Sequence, residues 1–229
     1  MLTADAYEYV VDDSAVDNDC AIWFALPAGF FEIPLQAPAD DPEAEGASKD
    51  AIRAFLELVP QEQRMAVLAD LEDAWTTSQL LRQSSIAHFA MGVHQADDGS
   101  VMRCVFTIAW QGIPWTPAKL SAAKAAMSLP NTQRAELVEL PCGPAAITQS
   151  RTQWEEQDVF QTTGYLPHPD GKRIAVLTLS TTATAGHEQY RDILLGITHM
   201  VSFDNPLPEH MRESIPEPEG VASARAIFG

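Results

Sequence analysis

Arg-Ile-Ala-Val-Leu-Thr-Leu-Ser-Thr, at residues 173–181, is the stretch that decides the fold. Successive side chains of a β-strand point to opposite faces of its sheet. Within residues 174–179, apolar side chains occupy both alternating sets of positions. A strand of this kind has to be covered on both faces, so we place it at the centre of a sheet.

Two hairpins are predicted from the neighbouring patterns. Residues 159–166 precede the central strand across the turn Pro-His-Pro-Asp-Gly at 167–171. Earlier in the chain, alternating apolar positions at 87–93 and 102–110 flank the turn Asp97-Asp98-Gly99. Short turns of this composition join antiparallel neighbours, so we expect an antiparallel sheet.

Further extended segments add strands outside the two hairpins. They are predicted at residues 21–26, 30–35, 136–140 and 145–151. Pro34 has no N–H to donate, so the segment that contains it is expected at a sheet edge. The last two segments are interpreted as one strand that Pro141–Pro144 interrupts and that then resumes.

Helical spacing of apolar residues defines the remaining elements. Helices are predicted at residues 52–59, 60–80, 119–129 and 187–201. The first two could instead be one helix kinked at Pro60. In the second helix, the predicted buried stripe is Met65, Leu68, Leu71 and Trp75. In the last helix, it is Tyr190, Ile193, Leu194, Ile197 and Val201. So few helices can cover only one face of the sheet, or part of both, and the fold class is α+β: two hairpins plus extra strands, packed by helices.

The acidity of the chain is concentrated at its ends. The formal net charge is −18. Residues 1–50 hold twelve acidic side chains and one base, Lys49, whereas residues 51–203 hold fifteen acids and eleven bases. We therefore divide the chain into an acidic N-terminal segment (1–20), a single α+β domain (21–203) and an acidic, proline-rich C-terminal tail (204–229). The ends are interpreted as solvated segments, or alternatively as a docking surface for a basic partner.

Charge and composition also exclude several classes of partner. Nucleic acids and anionic membranes are bound by clustered Lys and Arg, which this chain lacks. No apolar run approaches the roughly 20 residues that span a bilayer, and the first residues do not resemble a secretory signal. We expect a cytoplasmic protein.

No pattern of catalytic or metal-binding residues is found. Cys20, Cys104 and Cys142 are widely spaced, and glycine-rich phosphate loops and serine nucleophile motifs do not occur. Cys104 is predicted to be an inert core thiol, and Cys142 to be the most exposed cysteine. His88 and His94 share one face of a half-buried strand, but six residues separate them by about 20 Å. We interpret them as polar-face residues and predict no catalytic residue, metal or cofactor.

The strongest candidate for a binding surface is aromatic. Trp110, Trp115 and Trp154 fall at strand ends or in connections, and Arg151 lies near the last of them. Tryptophan and arginine are the side chains that most often anchor a bound protein. The alternative is that these indoles close the end of the hydrophobic core.

Short apolar motifs resemble those of a known family. They are Leu26-Pro27-Ala28-Gly29-Phe30 leading into Pro34-Leu35, the segment Gly143–Ile147, and Ile174–Ser180 followed by the helix Tyr190–Phe203. The chain resembles actinobacterial proteins with the PsbP-like α/β/α sandwich, including the LpqN-type lipoproteins. The resemblance implies an accessory or binding role. It does not carry over the lipid-anchored location, because this sequence has no lipidation cysteine.

Three functions are consistent with these observations. The first is a non-catalytic accessory or scaffold protein that binds another protein or itself. The second is a small-molecule-binding or enzymatic domain whose aromatic pocket is formed by Trp110, Trp115, Arg151 and Trp154. The third is an acidic immunity or inhibitor protein for a basic partner.

Overall fold

The computed structural model describes residues 9–11, 21–33, 35, 52–57, 59–81, 85–95, 101–128, 131–154, 157–183 and 186–204. The strands are β1 (Tyr9–Val11), β2 (Ala25–Pro27), β3 (Phe30–Glu32), β4 (Ile86–Gln95), β5 (Val101–Gly112), β6 (Thr132–Leu140), β7 (Gly143–Trp154), β8 (Gln157–Pro167) and β9 (Arg173–Thr181). The helices are α1 (52–57), α2 (Arg64–Leu81), α3 (Ala118–Ser128) and α4 (His187–His199).

The main sheet has seven antiparallel strands in the order β3-β4-β5-β9-β8-β7-β6. The central strand is β9, as its two-sided apolar pattern predicted, and both predicted hairpins are confirmed as β4–β5 and β8–β9. β3 lies at one edge of the sheet, as expected from Pro34. The α+β fold class is therefore confirmed.

Helices cover both faces of the sheet, and one face only in part. Tyr190, Ile193 and Leu194 of α4 pack in one core with Phe106 of β5 and Leu177 of β9. On the opposite face, α2 packs over β4, and the alanine-rich side of α3 packs over β7 and β8. The centre of this second face lies between the two helices.

One helical stripe was predicted correctly and another only in part. In α4, Tyr190, Ile193, Leu194 and Ile197 are all buried, as predicted. In α2, Leu71 is buried as predicted, but Val67 and Ala74 are buried too, whereas the predicted Met65 is 76% exposed. Apolar residues occupy more than one side of this helix, so their spacing did not determine which side would meet the sheet. The side that carries Ala74 packs against the bulky Phe89 and Met91 of β4.

The interrupted strand predicted at 136–151 is wrong. It is two strands, β6 and β7, which pair antiparallel with Leu140 opposite Gly143. Pro141 and Cys142 form the turn between them, and Gly143 follows it with φ of +122°. A side chain would strain this left-handed backbone, so the glycine permits the reversal of direction. The chain from β6 to β9 is thus a continuous four-strand meander.

The prediction that β4 is half-buried is also wrong, because both of its faces are covered. Phe89, Met91 and Val93 face α2. Ala90 is 0% exposed and His88 is 6% exposed on the other face. Residues in the range 21–33, which lie far away in sequence, cover this face, which is the one that carries α4. The local alternation on β4 could not reveal that cover.

The described part of the acidic N-terminal segment is β1. This strand, Tyr9–Val11, pairs antiparallel with β2 in a separate two-stranded sheet. The rest of that segment, residues 36–51 and the tail after residue 204 lie outside the described residues. Within the described part of the chain, no helix is both long and apolar enough to cross a membrane.

Candidate binding surface

Two loops meet where β5 ends and β9 begins. β5 and β9 pair with Trp110 opposite Ala175. The chain beyond β5 is fastened to the β8–β9 turn by two backbone hydrogen bonds, one from Ile113 N–H to the Lys172 carbonyl (2.8 Å) and one from Thr116 N–H to the Gly171 carbonyl (3.1 Å). Residues 113–116 are therefore held firmly against the turn.

An aromatic and charged cluster lies beneath these loops. The His168 ring lies edge-on to Trp110 and Phe203, with ring centroids 5.9 and 5.0 Å apart. The guanidinium of Arg173 lies 4.5 Å from the centroid of the Trp110 ring, a cation–π contact. Trp110 is thus boxed in by neighbours on several sides and contributes to closing this end of the core.

Asp170 organises the polar side of the cluster. Its Oδ2 lies 3.0 Å from Nδ1 of His168 and accepts a hydrogen bond from Nε of Arg173 at 3.2 Å. Its Oδ1 accepts a hydrogen bond from the Lys172 N–H at 2.8 Å. This backbone hydrogen bond, together with the nearby His168 and Arg173, holds the pKa of the Asp170 carboxyl below its usual value. The carboxylate therefore stays charged and keeps the turn in one conformation.

Trp115 is exposed to solvent beside Gly171 of the β8–β9 turn. Its side chain is 70% exposed, the largest exposed aromatic ring among the described residues. Gly171 has φ of +69°, and a Cβ atom built there would lie 2.9 Å from the Trp115 ring. One edge of the indole thus rests on the glycine backbone while most of the ring faces solvent. We call Trp110, Trp115, His168, Arg173 and Phe203 together the Trp115 surface.

Arg151 and Trp154 lie at the opposite end of the sheet. Arg151 is opposite Phe160 and Trp154 is opposite Gln157, whereas the row that contains Trp110 crosses β8 at Leu166. Six residues along a strand separate these positions by about 20 Å. The structure therefore brings Trp110 and Trp115 to one end but does not join them with Arg151 and Trp154 in one pocket.

Arg151 has local partners of its own. It forms an ion pair with Asp158, and its guanidinium lies 5.5 Å from the centroid of the Phe160 ring. The hydrogen bond from Arg151 lowers the pKa of the Asp158 carboxyl. The arginine that accompanies Trp110 is instead Arg173, which the sequence reasoning missed. Its position at the start of a central strand was visible in the sequence, but its proximity to Trp110 depends on β5–β9 pairing.

A groove runs along the uncovered centre of the second face. It has a volume of about 610 Å³, and its lining includes Val105 and Ser180 on the sheet and Asp70, Asp73 and Thr77 on α2. Val105 is 36% exposed although it lies on an inner strand. An ion pair between Arg103 and Asp70 links the sheet to α2 at the edge of the groove. None of the predicted binding residues lines it.

Burial keeps the Cys104 thiol and the His94 ring neutral near pH 7. Burial raises the pKa of the Cys104 thiol to about 12, although a hydrogen bond with Tyr190 opposes this. Burial lowers the pKa of His94 to about 4, and a contact with the Ala28 backbone acts in the opposite direction. Cys104 is therefore a protonated core thiol, as predicted. Cys142 is half-buried, and burial raises its pKa as well.

The described residues form no metal site, and the chain matches no known protein in the comparisons. Among the described residues, no three His, Cys, Asp or Glu side chains lie close enough together to hold a metal ion. Comparisons of the chain with family models, with curated proteins and with solved structures gave no match. The resemblance to PsbP-like proteins therefore stays a prediction.

Proposed function

We propose that this chain is a non-catalytic accessory or scaffold protein that binds another protein through the Trp115 surface. The observation that carries the proposal is the Trp115 ring, 70% exposed on a rigid support. Large exposed rings are costly to leave in water, and tryptophan is enriched among the residues that dominate binding energy.

The rigidity of the surface favours binding. Both loops are held by backbone hydrogen bonds, and Asp170 fixes His168 and Arg173. A surface that is already ordered loses little conformational freedom when a partner docks, so more of the contact energy appears as affinity.

The contacts of His168 favour binding over catalysis at this surface. Its Nδ1 lies 3.0 Å from the Asp170 carboxylate, and its Nε2 lies 3.2 Å from Nη2 of Arg173. A ring whose two nitrogens are both engaged by fixed neighbours is poorly placed to exchange a proton with a substrate.

Trp115→Ala is expected to abolish partner capture without destabilising the fold. The bait is the full chain, cross-linked in extract and analysed by quantitative mass spectrometry. Proteins captured specifically by the wild-type chain should fall by roughly tenfold or more, the loss expected when a hot-spot side chain is truncated. Thermal melting should hardly change, because the side chain is mostly solvent-exposed.

Met127→Ala is the matched control for this experiment. Met127 is 85% exposed on α3 and is not part of the Trp115 surface. The Met127→Ala variant should capture the same proteins as the wild-type chain. If Trp115→Ala captures them as efficiently as Met127→Ala does, the proposed binding surface is wrong.

The groove favours a second candidate function, the binding of a small molecule. Its volume of about 610 Å³ lies within the usual range of ligand pockets. A thermal-shift screen of metabolites should then find a compound that raises the melting temperature of the wild-type chain but not of Val105→Trp, which fills the groove. Leu137→Trp, at a 51% exposed position on the edge strand β6, should keep the shift. A shift that survives Val105→Trp would place the ligand elsewhere.

A further inference from the structure

Residues 21–33 include β2 and β3. Through Phe24 and Phe30 they cover β4 on the face of the sheet that also carries α4. We call them the β2–β3 segment. β3 has a single strand neighbour and pairs with β4 through three residues. Further backbone hydrogen bonds join Ile33 to Phe89 and Gly29 to Val93, and two more join Trp23 to Ser202. The side chains of the segment add to these links.

Two histidines of β4 contribute to that attachment on the face shared with α4. The His88 ring lies edge-on to Phe24, with centroids 4.8 Å apart. The His94 ring lies edge-on to Phe30 at 5.0 Å and to Tyr190 of α4 at 5.5 Å. The cover thus has one histidine under each of two phenylalanines.

His94 is poorly placed to carry a positive charge. Nε2 of its ring is buried and makes no hydrogen bond of good geometry within the described residues. The titratable groups that face His94 are the Tyr190 hydroxyl, 3.4 Å from Nδ1, and the Cys104 thiol across Gly92. Both groups are uncharged in acid. An imidazolium at His94 would therefore be buried without a counter-charge, which is strongly unfavourable.

His88 has one charged neighbour, and it belongs to the segment itself. Oε1 of Glu32 lies 3.4 Å from Nδ1 of His88. The other neighbours of His88, Phe24 of the segment and Phe106 of β5, are apolar.

We propose that the β2–β3 segment is an acid-sensitive latch: protonation of His94 releases it from β4 while the strands β5 to β9 and α4 stay folded. Opening the edge of the sheet brings the His94 imidazole to water and relieves the buried charge. α4 contacts His94 through Tyr190, but Ile193, Leu194 and Ile197 also pack this helix into the core of the inner strands. The released state exposes Phe24, Leu26 and Phe30.

Limited digestion with pepsin, which is active in acid, tests the latch on the full chain. At about pH 4, the bonds after Phe24 and Phe30 should be cut while far-UV circular dichroism retains its helical signal. Cleavage through an open state tracks the population of that state. In the variant His94→Gln, cleavage of these two bonds at about pH 4 should be roughly tenfold slower.

His199→Gln is the matched control, because His199 is exposed on α4. It should be cut like the wild-type chain. If His94→Gln loses the native circular dichroism spectrum, His94→Asn replaces it, with slower cleavage after Phe30 as the expected result. Equal cleavage in wild type and variant, or cleavage that begins only as the helical signal is lost, would overturn the proposal.

Discussion

Replacing Phe106 with alanine is expected to lower the free energy of unfolding by about 3–5 kcal/mol, the usual cost of such a deletion in a core. Phe106 is 0% exposed. Its ring contacts His88, Phe30 and Phe24, with centroids 5.8, 6.0 and 6.3 Å apart. A cavity here would therefore remove contacts between an inner strand and the β2–β3 segment at the same time.

Urea unfolding at neutral pH measures this loss. Val105→Ala is the matched control, since it changes the next residue on the same strand, whose side chain faces the groove and is 36% exposed. Its cost should be only a fraction of that for Phe106→Ala, because less apolar surface is lost from a buried environment. Equal losses for the two variants would mean that the core is not centred on Phe106.

Lowering the pH from neutral to about 4 is expected to destabilise the closed fold by about 3 kcal/mol through His94 alone. Burial lowers the pKa of His94 from 6.5 to about 4 in the folded chain. Between these values the unfolded chain binds a proton that the folded chain does not, so stability falls as the pH falls. The full stability is present above the unfolded value. Release of the β2–β3 segment would cap the loss, because the proton could then bind without unfolding the sheet.

The measurement is the difference in unfolding free energy between wild type and His94→Gln, followed by urea titration across this pH range. Carboxylates that titrate elsewhere in the chain cancel in the difference. The gap between the two proteins should change by up to about 3 kcal/mol in favour of His94→Gln as the pH falls, and by less where release of the segment caps the loss. His199→Gln should show no such change relative to wild type. A difference that does not vary with pH would show that His94 is not held neutral by burial.

The placement of β9 shows how far sequence reasoning reaches. Its two-sided apolar pattern is a property of consecutive residues, and it correctly predicted a central strand. The stripe of α4 is equally local and was equally readable. The stripe of α2 was readable only in part, because its apolar residues surround much of the helix and the sheet beneath it selected one side.

The candidate site shows where that reasoning ends. Trp110 and Trp115 were identified as residue types that favour binding, and both lie at the same end of the sheet. Arg151 was taken as their companion because it lies near Trp154 in the sequence, yet the strand register places it at the far end of the sheet. Arg173 fills that role because β5 and β9 are neighbours, a pairing between strands that three intervening strands separate along the chain.

The amino-acid sequence by itself determined that residues 173–181 form a strand covered on both faces, since the alternation of side chains in a strand is local. It also determined the antiparallel hairpins on which the α+β class depends. Only the tertiary structure decided what covers that sheet: α4 and the β2–β3 segment on one face, and α2 and α3 with a groove between them on the other. The physical reason is that contacts between distant segments depend on which surfaces fit together, and no pattern within one segment encodes its partner.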